Sequence, residues 1–93
     1  MTERAIRAYV MLRTRYGTSK QIIETLRKNH ERSFVQGAAV YGWYDAVVEL
    51  EVPHIEELNE IVDELKASCL DITHIGTAVE KTGDAPNPLF LGR

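Results

Sequence analysis

Tyr41-Gly42-Trp43-Tyr44-Asp45 brings three rings, a glycine and a carboxylate together in five residues. Loops carried on rigid strands are where small ligands are usually held, and this stretch has the residue types for such a site. It also has the chemistry of a turn. Gly42 can take a positive φ, and Asp45 can hydrogen-bond turn backbone. Other reactive residues are scattered. His54 and Glu57 lie three apart, a spacing that could share a metal, but no further ligands accompany them. His30 and His74 form no pattern with Cys69, which reads as a small apolar residue at a helix end. Gly37 and Gly42 are isolated and no Gly-Lys-Ser/Thr follows, so there is no phosphate loop. No metal and no cofactor is expected.

The elements that would hold the loop follow from periodicity. Residues 5–13 alternate: Ile6, Ala8, Val10 and Leu12 face one way, Arg7, Tyr9, Met11 and Arg13 the other. Thr18 is placed to cap a helix, with Gln21 completing a capping box, and Ile22, Ile23 and Leu26 give that helix an inner stripe to about Asn29. Residues 34–41 form a second strand whose Gly37, Ala38 and Ala39 demand a close neighbour. The loop then leads into a third strand, 46–52, with Ala46, Val48, Leu50 and Val52 on one face. Pro53 suits the first position of a second helix, with Glu56 and Glu57 in its first turn. Ile55, Leu58, Ile61, Val62 and Leu65 carry its apolar stripe to about Ser68. Residues 71–79 make a fourth strand. The order β-α-β-β-α-β predicts a ferredoxin-like α+β plait, a four-stranded antiparallel sheet with both helices on one face. That topology puts Arg7 and Arg13 on the open face with Glu49 and Glu51. Residues 1–80 form this domain, and 81–93 are a Pro- and Gly-containing tail whose Pro88-Leu89-Phe90-Leu91 segment favours docking on a neighbour.

Ninety-three residues bury a modest core and lean on partner subunits. The net charge of −3 argues against nucleic acid, but it is unevenly spread: +5 over residues 1–40 and −8 over 41–93. Such halves can pair within one sheet or between subunits. A single cysteine, no apolar leader and no spanning run point to a reduced, cytoplasmic setting without a membrane.

In this topology, Gly42-Trp43-Tyr44-Asp45 followed by Ala-Val-Val-Glu-Leu-Glu-Val resembles the effector-binding (RAM) domain of Lrp/AsnC family transcription regulators. Ile55-Glu-Glu-Leu58 and the threonine-bearing last strand also fit, so the resemblance covers about residues 6–80. Family regulators carry a helix-turn-helix domain ahead of this one; here the first strand begins almost at Met1, so the chain resembles a stand-alone effector domain without direct DNA binding.

The resemblance implies sheet-to-sheet dimers, assembled into rings of dimers. It also implies an amino-acid-like effector held between dimers, and co-assembly with full-length Lrp/AsnC regulators as a transcription-regulation accessory. On the matching positions, Gly42 would offer backbone to the ligand, Asp45 would accept from its ammonium group, and Thr77 would meet its polar end. Tyr41 and Tyr44 would wall the site. Tyr9 on the open sheet and Trp43 at the loop tip are expected at the oligomer interface. RNA recognition on the same topology needs aromatic platforms on both central strands, and the third strand offers Val47, Glu49 and Glu51 instead. The alternative is a small dimeric enzyme of monooxygenase or isomerase type, with Tyr9, Tyr41, His74 or Asp45 as acid–base groups.

Overall fold

The central strand β1 (Ile6–Thr14) is built by alternation, and alternation gives it two partners and two faces. In the computed structural model, which describes residues 5–15 and 17–80, β1 pairs antiparallel with both β3 (Ala46–Val52) and β4 (Ile72–Val79). β2 (Phe34–Ala39) closes the far edge on β3, so the sheet order is β2-β3-β1-β4. This is the ferredoxin-like plait that the pattern predicts.

One face of the sheet is apolar and covered. Ala8, Val10 and Leu12 of β1 and Ala46, Val48, Leu50 and Val52 of β3 have no exposed surface. They form one core with Ile22 and Leu26 of α1 (Ser19–Asn29) and with Leu58, Ile61 and Leu65 of α2 (Ile55–Ser68). Each buried leucine or isoleucine contributes roughly 1.5–3 kcal/mol by leaving water. Small residues in β2 serve the close approach their size calls for. A Cβ at Gly37 would fall 2.9 Å from Ile23 Cγ2, inside contact distance, so α1 can settle on β2 only over glycine.

The other face is open and charged. Arg7 pairs with Glu49 at 2.6 Å and Glu51 at 2.9 Å on the face that the topology predicts for them, while Gln36 donates to Glu49 at 2.7 Å. Tyr9 stands between these strands, and its phenol is held protonated above the usual range, first by desolvation and then by Glu80 and Glu49. A raised folded-state pKa stabilises the fold below the unfolded value near 10, and that contribution is lost as pH rises through the folded value. Spectrophotometric titration of the phenolates should therefore show a late-ionising tyrosine that Tyr9→Phe removes. An unchanged alkaline limb in the variant would contradict the placement.

Several boundaries differ from expectation. Thr18 makes no capping bond: its Oγ1 donates to Arg15 O at 3.1 Å, so the capping box with Gln21 does not form. Pro53 lies before the helix rather than in it; His54, in extended conformation, is the N-cap and α2 starts at Ile55. Ile55 is consequently in the first turn, 40% exposed, and outside the buried stripe. β2 ends at Ala39 because Gly42 at φ +136° and the ring-bearing residues around it leave the ladder. β1 extends to Thr14, past a bulge at Arg13, and β4 begins at Ile72. The tail from 81 lies outside the described residues. No helix among the described residues is long and apolar enough to cross a membrane.

Candidate functional site

The site is assembled where β1 leaves the sheet beside the start of β3. Antiparallel pairing of Leu12 with Ala46 sets the end of β1 next to the β2–β3 hairpin. The hairpin spans residues 40–45 and closes by Val40 N donating to Asp45 O at 2.8 Å. Asp45 then ties the loop to β1. Its amide donates to Leu12 O at 2.7 Å, and its Oδ2 accepts from Thr14 N at 2.7 Å and from Thr14 Oγ1 at 3.4 Å. The aspartate thus holds a neighbouring strand rather than only its own turn, and both of its side-chain bonds fall on Oδ2.

Beside this clamp lies a cavity of about 430 Å³, lined by Thr14, Gly17, Ser19, Lys20, Ala39, Val40, Tyr41 and Asp45. It is within the size range of small-molecule sites. Three elements supply its wall: the end of β1 with the turn into α1, the first residues of α1, and the end of β2 with the hairpin. Gly17, at φ +66°, turns the chain sharply enough to bring the start of α1 onto the cavity.

The expected site residues divide into groups. Asp45 and Tyr41 share the cavity, Tyr41 with its ring fully in solvent. Gly42 has the positive φ that the turn needs, at the loop tip. Tyr44 turns the other way: a Cβ at Gly76 would meet Tyr44 Oη at 2.7 Å and Met11 Cε at 3.6 Å, so the ring lies over the open face and reaches β4. Thr77 is exposed on β4 opposite Val10 and does not line the cavity. Trp43, 69% exposed, lies under the Arg13 guanidinium, 4.5 Å from ring centroid to Cζ. That contact fixes the ring at the margin of the open face, while Tyr9 sits at its centre with Gln36, Ala38, Val47 and Glu49 around a second hollow of about 260 Å³.

Thr14, Ser19 and Lys20 were not visible as site residues in the sequence. Spacing alone separates them from Asp45 by more than twenty positions. The signal that could have found them is topological: in a β1–β3 antiparallel pair, whatever follows β1 must lie beside whatever precedes β3.

The metal pairing of His54 with Glu57 is not assembled. Glu57 Oε2 accepts from Ser33 Oγ at 2.9 Å and His54 Nδ1 lies 3.3 Å from Glu56. Among the described residues no three His, Cys, Asp or Glu side chains cluster.

No protein-family model matches the sequence, and no curated protein matches it significantly. Solved structures do. TTHA0845 of Thermus thermophilus superposes with a TM-score of 0.72 at 21% identity, over 87% of this chain and 99% of that one. The hypothetical protein PHS023 of Pyrococcus horikoshii gives 0.70 at 20% identity, over 84% and 92%. An AsnC family transcriptional regulator from Agrobacterium tumefaciens gives 0.62 at 15% identity, over 96% of this chain and 61% of the regulator. The chain therefore shares its fold with Lrp/AsnC-type regulators, as the hairpin motif and element order suggest.

Proposed function

We propose that the protein is a non-catalytic binding and oligomerisation module that holds an amino-acid-like effector at the hairpin and serves as an accessory in transcription regulation, with full-length Lrp/AsnC regulators as partners. The observation that carries this reading is the cavity that joins Asp45 of the hairpin to the turn after β1. Its single acid, held by a backbone amide on one oxygen, can meet an ammonium group with charge-assisted hydrogen bonds. The fold shared with an AsnC family regulator supports the regulatory setting. Oligomer formation is supported by the open face, where Tyr9, Met11 and Val47 lie among the ion pairs of Arg7, and by the exposed Trp43 at its margin.

An enzyme would need acid and base groups to converge. Tyr9 and His74 belong to the open face, while Tyr41 and Asp45 belong to the cavity, so the four candidates are split between two places. That separation favours binding over turnover.

The test joins affinity to assembly. Calorimetry against the common amino acids should find at least one saturable binder in the micromolar to millimolar range, about −8 to −4 kcal/mol. Light scattering of the same samples should show a dimer or a ring of dimers. Steady consumption of any titrant, or monomers alone at micromolar concentration, would overturn the proposal.

A further inference from the structure

We propose that residues 81–93, which lie outside the described residues, fold back onto their own chain, with Pro88-Leu89-Phe90-Leu91 seated in an apolar trough between α2 and β4 on the helix side of the sheet. The hairpin cavity is not involved, and the open face of the sheet stays free for assembly.

The trough exists because α2 stops short of the sheet edge. Directly opposed residues of an antiparallel pair share a face. Val79, Thr77 and Ile75 of β4 lie opposite Ala8, Val10 and Leu12 of β1, which are fully buried under the helices. Yet Val79 is 45% exposed, Thr77 is exposed, and Ile75 is only partly buried. α2 supplies the other wall. Glu57 accepts from Ser33 and Glu64 pairs with His30, so that flank of α2 faces the turn after α1. Ile55 and Val62 each precede one of those acids by two residues, about 200° around a helix, which puts them on the opposite flank. Lys66 shows what this flank faces. It lies four residues after Val62, on the same side of the helix, and lines a hollow with Ile72 and Ile75 of β4. At the other end of the trough Ile55 comes beside Val79. Val52, just before α2, pairs with Ile6, and Val79 pairs with Ala8, so both elements meet at one end of the sheet. Ile55 and Val79 are thus two large apolar side chains left in water at the same mouth, and such a strip asks for a cover.

The chain delivers one. Glu80 N donates to Arg7 O at 2.8 Å, so the next residue starts at that mouth. Residues 81–87 can span up to roughly 23–25 Å when extended, and the strip from Val79 to Ile75 is about 13 Å long. The apolar quartet can therefore turn and lie along it. Gly83 and Asp84 suit the reversal. Pro86 and Pro88 have no amide to give the free edge of β4, which favours packing in the trough over an added strand. Charge agrees as well. The exposed Glu56 and Asp63 follow Ile55 and Val62 on the outer rim, while residues 81–93 carry Lys81 and Arg93 against one acid, Asp84. A second copy is a poorer cover, because a two-fold contact through this trough would bring two acid-rimmed α2 helices together.

The test uses the full chain in solution. In NMR spectra of ¹³C,¹⁵N-labelled protein, the Phe90 ring and the Leu89 and Leu91 methyls should show nuclear Overhauser contacts to the methyls of Ile55, Val62 and Val79. Phe90→Ala should abolish the ring contacts and shift those three methyls, while Met11 and Val47 on the open face stay where they are. Val79→Ser, a change at a half-exposed position outside the core, should weaken the leucine contacts from the other side. An isotope-filtered spectrum of mixed labelled and unlabelled chains should show none of these contacts between copies. Three results would each overturn the proposal: resonances of 88–91 at unstructured-peptide positions with no contacts to the trough, contacts to Tyr9, Met11 or Val47 instead, or trough contacts that arise only between copies.

Discussion

Asp45→Asn is expected to weaken amino-acid binding by roughly 1.5–3 kcal/mol, the range for a hydrogen bond to a charged group. The substitution is informative because the structural role of Asp45 and the ligand role proposed for it part company in this variant. Its Oδ2 accepts from Thr14 N at 2.7 Å, and an asparagine carbonyl oxygen can accept the same bond. The hairpin should therefore stay fixed to β1 while the charge offered to a ligand is gone. Asp45→Ala removes both. It leaves Thr14 N without its acceptor, at a cost of about 1–3 kcal/mol in stability beyond any loss of affinity. Calorimetry and denaturant unfolding on the two variants, referred to the folded fraction, distinguish the roles. Should Asp45→Asn lower stability and leave affinity per folded molecule unchanged, the aspartate is a strut between β1 and the hairpin, and the ligand site must be sought elsewhere.

Leu50→Ala should destabilise the fold by about 2–5 kcal/mol. Leu50 has no exposed surface, lies opposite Ala8 on β1, and stands at the middle of a core that both helices share. Ala8 is too small to fill the space left behind, so a cavity remains. For a domain whose whole stability is on the order of 5–15 kcal/mol, the loss is a large share. Unfolding should be followed in urea at one fixed protein concentration, because the proposed subunit association would add to apparent stability. A shift below about 1 kcal/mol would mean that the core repacks around the truncation.

The sheet was legible because its two inner strands alternate without interruption. Ala8, Val10 and Leu12 and Ala46, Val48 and Leu50 can both be buried only if the two rows share one face, and the structure pairs them so. The Arg7 pairs with Glu49 and Glu51 follow from the same register. Helix starts were harder. Thr18 does stand at the N-cap of α1 but turns its hydroxyl away from the helix, and Pro53, which has the chemistry of a first helical residue, lies one residue before the cap of α2. At the site, the motif located the hairpin but not what faces it. Tyr44 shows why. One loop sets Asp45 at the cavity, leaves the Tyr41 ring at its edge in solvent, and sends Tyr44 over Gly76 on the opposite face, a divergence set by backbone direction at each residue and not by residue type. Ser19 and Lys20 carry no local signature, since a serine and a lysine opening a helix are ordinary.

The position of β1 has a consequence for how the molecule comes into being. β1 is synthesised before both strands that flank it, and it pairs with residues from 46 to 52 and from 72 to 79. Its apolar row therefore leaves the ribosome with no sheet to join. It can be bracketed on both sides only once β4 has emerged, when nearly all of the described chain has been made. Contacts this distant along the chain are slow to form, since each closes a long loop before it gains any burial. The fold is thus completed after translation of β4 rather than strand by strand. Until its partners have been made, the apolar row of β1 that includes Val10 and Leu12 is open to a chaperone or to the wrong neighbour.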